Sequence, residues 1–352
     1  MAESPSVAVI VVNYRTPEYA IQCVQSLLPE RRAIPALEVV LVDNASGDNS
    51  VSTMSNGLAD LISEGFVNLM PLDLNGGFGW ANNQALLMLS ASDQPPEFVM
   101  LLNPDCTIEP SAIRLLLNEL LESKNCAVAG SQLLNPDGSC TGSAFRFPTI
   151  GREFVRGAQM EMLGRLLGIS PTLVTSDVPC EADWVTGASC LMRTSALASE
   201  GLFDDGFFLY FEEVELMFRL RRAGWGVRHV PASRVYHIGG ASTGVSDKSS
   251  IIREFPIYWF ESRRRFFTLA YGPRRVWWAG IAWLLGTVIH QWAVAFDQSR
   301  LDPTLSGNRH RLLVHGLKSG AHDSIRSIVS VGDEISNRPR WMGISESDVI
   351  EN

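Results

Sequence analysis

An α/β fold with a mostly parallel sheet is predicted by the first 135 residues, on three observations. Short apolar, β-branched runs recur, as in strands buried on both faces. Helical patterns alternate with them, which implies βαβ units. Each run then ends in a polar or Gly-rich turn. The first run is 7–12 (VAVIVV), and Pro17 opens a helix over 17–28. A second strand follows at 37–42, a helix at 49–63 and a weaker third strand at 66–72. Residues 79–89 read as helix, 98–102 as a fourth strand, 110–123 as a strongly amphipathic helix and 127–134 as a further strand. Right-handed crossovers are the default for such units.

The second half is less regular. Asn135-Pro136-Asp137-Gly138 is a turn, as in a hairpin, and 146–167 is irregular to helical. Residues 185–193 read as a strand opening on the small-residue turn Thr186-Gly187-Ala188-Ser189. The aromatic run 207–211 precedes a helix over 212–223, closed by Gly224, and a short strand at 226–230. Residues 276–296 contain no Asp, Glu, Lys or Arg, long enough to cross a membrane. The run nevertheless holds His290, Gln291, two glycines and four tryptophans, and Arg263-Arg264-Arg265 and Arg274-Arg275 precede it. Flanking arginines and tryptophans fit an interfacial helix best, with a true span and a buried core helix as alternatives. The expected division is a catalytic domain at 1–250, in halves 1–135 and 136–250, and a C-terminal helical region at 251–352.

A chain of 352 residues, 46% hydrophobic, can build a large core without disulfides. The net charge of −9 argues against general nucleic-acid binding. It is uneven: the balance is −12 over 1–251 and +3 over 252–352. The six cysteines show no C-x-x-C spacing, which leaves out zinc and redox motifs. The opening MAESPSVAVIVVNY has no basic stretch and runs straight into a strand, so a reducing, cytoplasmic setting is expected.

In open α/β sheets ligands sit beyond the carboxyl ends of the strands. Four such ends carry Asn13-Tyr14-Arg15-Thr16, the turn from Asp43 to Asp48, Asn75-Gly76-Gly77-Phe78-Gly79 and Asn103-Pro104-Asp105. Asp105 can share a divalent cation with substrate phosphates, although an Asx-Pro turn explains the same letters. Asp43 can accept from a base N–H or a ribose hydroxyl; helix capping accounts for Ser46 and Asn49 but not for Asp43. The glycines at 76–79 admit close backbone approach ahead of a helix N-terminus that favours phosphate, or form a tight turn. Glu212, Glu213 and Glu215 open a helix, where the dipole favours acids. Their position after an aromatic run makes a poorly hydrated carboxylate there a candidate general base. His237 precedes a Gly/Ser-rich loop reaching Ser250 and reads as a ligand beside a lid.

In this order, VVNYRT, VDNASGDNS, NGGFGWANNQA, LLNPD, FLYFEEVELMFRLRRAGW and HIGGAST resemble family 2 glycosyltransferases of the GT-A fold, especially their bacterial rhamnosyltransferase branch, over 7–243. The resemblance implies that Asn13, Tyr14 and Asp43 hold the nucleoside, and that Asn75, Gly76, Gly77 and Asn82 flank the donor. Asp105 stands where the family's DXD motif binds metal and diphosphate, with Asn103 in place of its first Asp. His237 completes the metal site, which takes Mg2+ or Mn2+. Glu213 falls on the catalytic base, usually Asp, with Glu212 as the other candidate. Trp184, Thr186 and Gly187 face the acceptor.

The resemblance further implies an inverting transfer from a dTDP- or UDP-sugar, with dTDP-L-rhamnose as the branch's common donor, to a glycan or polyprenyl-linked acceptor. The basic tail fits peripheral attachment to the inner face of the cell membrane. Two alternatives stand beside this reading. One is a nucleotidyltransferase of similar α/β fold, which usually needs a Gly/Lys/Arg-rich triphosphate loop where this chain has Asn13-Tyr14-Arg15-Thr16. The other is an inactive scaffold of a membrane glycan-assembly complex.

Overall fold

The computed structural model describes residues 5–239, 254–297, 305–317, 323 and 327–335. The first half runs β1 (Val7–Asn13), α1 (Pro17–Ser26), α2 (Leu28–Ala33), β2 (Leu37–Asp43), α3 (Ser50–Gly57), α4 (Ala59–Ser63), β3 (Val67–Pro71), α5 (Phe78–Ser90) and β4 (Phe98–Leu102). It continues through β5 (Cys106–Ile108), α6 (Ala112–Glu122) and β6 (Cys126–Leu134). The second half adds β7 (Ala144–Phe145), α7 (Ile150–Ala158), α8 (Glu161–Leu166), β8 (Cys180–Glu181), β9 (Trp184–Val185), β10 (Ser189–Arg193), α9 (Thr194–Glu200), α10 (Glu212–Arg222) and β11 (Gly226–His237). The C-terminal part holds α11 (Ile257–Tyr271), α12 (Pro273–Phe296), α13 (Leu305–Arg311) and a π-helical turn at Leu312–Gly316.

The main sheet has the order β3-β2-β1-β4-β10-β6-β11-β5, with β8 beside β11. β1, β2, β3 and β4 are parallel, as are β6 and β11, while β10 runs antiparallel between β4 and β6. Alternate residues of each central strand feed two apolar cores. Val7, Val9 and Val11 enter one with α1 and α6, and Ala8, Ile10 and Val12 enter the other with α5 and α10. Burial on both faces explains why these strands are continuous apolar runs.

Several elements differ from the sequence expectation for local reasons. The 17–28 helix splits at Leu27, because Pro29 has no N–H to continue it. The 49–63 helix breaks after Gly57, where Leu58 leaves the helical region at φ −122° and ψ 19° between α3 and α4. The strand expected at 185–193 is two, β9 and β10, separated by the 186–188 turn. The strand expected at 226–230 runs on to His237, past Pro231, because a register shift between Val230 and Arg234 absorbs the proline as a bulge. That extension pairs His237 with Cys106 of β5, a strand too short to show in the sequence.

The C-terminal helices pack on the α/β body around a third, aromatic core that includes Phe207, Phe211, Phe260 and Phe266. α12 lies so close to α7 that a Cβ on Gly157 would sit 2.1 Å from the Trp283 carbonyl oxygen, and one on Gly286 would sit 2.2 Å from that of Phe154. Its inner face buries Val276, Ala279, Trp283, Thr287 and His290. Its outer face exposes Trp278 at 60%, Leu285 at 56% and Trp292 at 64%. The arginines at 263 and 265 are not the interfacial anchors expected from sequence. Arg263 is buried against Glu153 of α7, and Arg265 donates to Asp204 at 2.7 Å with both side chains buried. They tie α11 to the body, whereas Arg274 and Arg275 are exposed.

Removing one partner of a buried ion pair leaves the other charge unpaired and typically costs about 3–5 kcal/mol. Arg263→Ala should therefore lower the urea midpoint strongly, while Arg274→Ala should stay within about 0.5 kcal/mol of the native protein. Equal effects of the two would contradict the internal role of Arg263.

Candidate functional site

A cleft of about 540 Å³ opens at the carboxyl ends of β1 and β4. Of the residues singled out by sequence, Tyr14, Asn75, Gly77, Asn103, Asp105, Thr186, Gly187, Glu212, Glu213 and His237 line it. Asn13, Asp43, Gly76, Asn82 and Trp184 are not among the lining residues.

Asn13 and Asp43 stand at paired positions at the ends of β1 and β2, both buried. Asn13 Nδ2 donates to Asp43 Oδ1 at 2.8 Å, and the Asn13 side-chain carbonyl accepts from both the backbone and the hydroxyl of Thr16 at 3.1 Å. Asp43 also accepts from the Ser46 hydroxyl at 2.6 Å and the Ser46 N–H at 3.0 Å. Ser46 is thus spent on this knot rather than on a helix cap. Asn49 makes no cap bond either; Asp48 takes the Ser50 N–H at 2.9 Å. The knot orients the two strand-end turns and brings Asn44 to the cleft, where its Nδ2 donates to Asn75 Oδ1 at 2.9 Å.

The glycine run serves two close approaches. Gly77 has φ +93°, and a Cβ there would lie 1.9 Å from the Phe208 carbonyl oxygen, the same atom that accepts from Phe78 N–H at 3.1 Å. A Cβ on Gly76 would overlap the Trp80 ring at 2.4 Å. Asn82 is buried and donates back to the Phe78 carbonyl at 2.9 Å. Trp184 stacks on Phe145 at 4.4 Å between ring centroids and bonds the Arg146 carbonyl.

At one end of the cleft, Asp105 Oδ1 lies 3.2 Å from His237 Nε2, and Asn103 Nδ2 lies 3.5 Å from the same nitrogen. Asp105 is buried and its backbone carbonyl accepts from Ile238 N–H, which fixes the strand end that carries His237. Cys106 lies close enough to join Asp105 and His237 as a third potential metal ligand. Burial and the Asp105 charge push its thiol well above the ordinary range, and the thiol is already engaged as a donor to the Ala188 carbonyl. One carboxylate and one imidazole remain. That set fits a divalent cation of the Mg2+ or Mn2+ type whose shell is completed by substrate oxygens. The Gly240-Ala241-Ser242-Thr243 end of the HIGGAST motif, the loop to Ser250 and the expected domain boundary lie outside the described residues.

At the other end, Glu212 and Glu213 open α10 after two residues in the left-handed region, Tyr210 at φ +69° and Phe211 at φ +67°. Non-glycine residues rarely adopt this conformation, and the strain aims the helix start into the cleft. Burial, then the neighbouring Glu213 charge, raises Glu212 well above the usual carboxylate range. Burial raises Glu213 to about 7, against backbone hydrogen bonds that favour its charged form. Neither Oε2 has a hydrogen-bond partner among the described residues. Desolvation outweighs the helix dipole here. Gly187 faces Glu213 across the cleft, its Cβ position 3.7 Å from Glu213 Cβ.

Sequence reasoning missed the aromatic wall beside these acids: Phe208, Tyr210 and, from α11, Tyr258. The run at 207–211 signalled the first two. Nothing marked Tyr258, which lies beyond the expected domain boundary and reaches the cleft only through the packing of α11.

The family described as "Glycosyltransferase like family 2" matches residues 5–254. An N-acetylglucosaminyl-diphospho-decaprenol L-rhamnosyltransferase of Mycobacterium tuberculosis is 31% identical over 222 residues, covering 59% of this chain and 68% of its own length. Rhamnosyltransferase WbbL of Escherichia coli is 27% identical over 168 residues, 46% of this chain and 60% of its own. Among solved structures, GalNAc-T7 with UDP, GalNAc and Mn2+ superposes with a TM-score of 0.54 at 14% identity, over 89% of this chain. This chain spans 55% of that one. The mannosyltransferase PcManGT of Pyrobaculum calidifontis, with GDP-Man and Mn2+, gives 0.53 at 15% identity, over 90% of this chain and 80% of that one.

Proposed function

The chain belongs to glycosyltransferase-like family 2 and is a glycosyltransferase of the GT-A fold, and on that premise we propose that it transfers L-rhamnose from dTDP-L-rhamnose, with inversion, to a polyprenyl-linked glycan. The names of its relatives support the sugar and the lipid-linked acceptor. The observation that carries the mechanism is a half-buried carboxylate, Glu213, with Oε2 shielded from solvent, in the same cleft as the Asp105–His237 pair. We keep the division 1–250 catalytic and 251–352 C-terminal; the described helices α11 and α12 pack on the body.

In this reading Tyr14 and the strand ends held by Asn13 and Asp43 seat the nucleoside, and the turn containing Asn75, Gly76 and Gly77, backed by Asn82, flanks the donor. Asp105 and His237 would hold Mg2+ or Mn2+, which neutralises the diphosphate leaving group. Asn103, beside the same pair, faces the donor. The acceptor hydroxyl, positioned against the Thr186–Gly187 turn that follows the strand carrying Trp184, attacks the anomeric carbon opposite the diphosphate. Glu213 takes its proton as the new C–O bond forms and the bond to the diphosphate breaks. One displacement inverts the centre without a glycosyl-enzyme. Burial and the Glu213 charge favour the protonated form of Glu212, and Glu213 is taken as the base. Nucleotidyl transfer is disfavoured by the family match, and an inactive scaffold by the presence of Glu213, Asp105 and His237.

The outer face of α12 supports a cytoplasmic enzyme held at the inner membrane face. Trp277, Trp278, Leu285 and Trp292 are exposed there, with Arg274 and Arg275 beside them. A spanning α12 is disfavoured by its packing on α7, with Thr287 and His290 turned inward.

Glu213→Gln should retain metal-dependent donor binding but lose roughly 10²–10⁴-fold in transfer. It is measured as dTDP release from dTDP-L-rhamnose with a short-chain N-acetylglucosaminyl-diphospho-polyprenol. Near-native kcat in Glu213→Gln, or donor affinity unaffected by EDTA, would overturn this assignment. Binding to liposomes should rise with anionic lipid, weaken with salt and fall in Trp278→Ser/Trp292→Ser; binding to none of them contradicts the membrane reading.

A further inference from the structure

The family match ends at residue 254, yet a side chain beyond it lines the cleft. Tyr258 lies in the first turn of α11, half-buried. Its ring stacks on Tyr210 with centroids 5.9 Å apart and planes 16° apart, and meets Phe208 edge-on at 5.8 Å. The three rings form one wall, continuous with the acids: Tyr210 ends two residues before Glu212, and its phenol is raised by burial and by the nearby Tyr258, Glu212 and Glu213. The polar donor-side groups, Asn44, Asn75 and Asp105, belong to the strand ends of the first half.

We propose that Tyr258 is an acceptor-binding residue, and that the Tyr258–Tyr210 stack is the platform on which an acceptor sugar ring lies while Glu213 takes its hydroxyl proton. This rests on the glycosyltransferase reading above and deepens it. A general base stands within hydrogen-bond reach of the proton it removes, so the groups beside Glu213 contact the acceptor. An aromatic face carries negative charge density that suits the weakly positive C–H face of a pyranose, and two χ angles make it a rigid surface.

The platform is also held firmly. Ser262, one turn on from Tyr258, donates to the Leu209 carbonyl at 2.9 Å, and Arg265 pairs with Asp204 at the start of the same loop. The C-terminal region thereby supplies part of the acceptor site, and acceptor choice is divided between the family domain and a segment outside it.

The test is steady-state kinetics of the full chain with dTDP-L-rhamnose and the same polyprenyl-diphosphate N-acetylglucosamine. Loss of one aromatic contact predicts a rise of about 3- to 10-fold in acceptor KM for Tyr258→Ala, with donor KM within about twofold. Tyr258→Phe should restore the acceptor KM, and Tyr258→Leu should not, since both keep the side chain apolar but only one keeps the ring. If the native enzyme turns over this pair and Tyr258→Ala leaves the acceptor KM unchanged, or if donor KM rises equally, the platform is wrong and the function stands. If the native enzyme releases no dTDP with this pair, the substrate reading falls and the acceptor platform falls with it.

Discussion

Two neighbouring glutamates, Glu212 buried and Glu213 half-buried, stand at the first turn of α10, and much of the second half of the chain is arranged to hold them there. Carboxylates in such surroundings favour the protonated form. For Glu213 the folded state therefore binds a proton that the unfolded chain releases. The resulting loss of stability is absent below the ordinary carboxylate range and complete above about pH 7. The fold tolerates it because the loop leading to α10 is anchored from three directions. Asn83 of α5 donates to the Phe203 carbonyl and to Asp205, Arg265 of α11 holds Asp204, and the Ser327 carbonyl accepts from Asp205 N–H. Between these anchors and α10, Tyr210 and Phe211 lie in the left-handed region.

The same anchors change the status of the C-terminal region. α11 and α12 are joined to the body by buried ion pairs and by glycine-mediated contact with α7, so they move with the cleft rather than independently of it. If the outer face of α12 rests on lipid, the cleft is carried at a fixed height above the surface that holds a lipid-linked acceptor. A single rigid unit then sets both membrane attachment and acceptor geometry.

Much of this was legible in the sequence because the relevant forces are local. Strands buried on both faces leave continuous apolar runs, and β1, β2 and β4 appear within about a residue of where they were expected. Turn chemistry at Asn75–Gly79 and the acids in the first turn of α10 marked two edges of the cleft. Features made by packing were hidden. β5 has three residues, and β11 continues past Pro231 only because a bulge absorbs it. Asp43 looked free for a nucleoside, but three donors already surround it. Arg263 and Arg265 read as interfacial anchors because their partners, Glu153 and Asp204, are distant in sequence. Tyr258 was invisible for the same reason.

The central claim is that burial has tuned Glu213 to act as the base at neutral pH. The most direct measurement is the pH dependence of kcat/KM for transfer, which reports the ionisation of the free enzyme. A base acts only when deprotonated, so with Glu213 as the proposed base activity should fall as pH drops, with an acid limb centred near pH 7. An acid limb at the ordinary glutamate value of about 4.3, or a limb near 7 that persists unchanged in Glu213→Gln, would contradict the account.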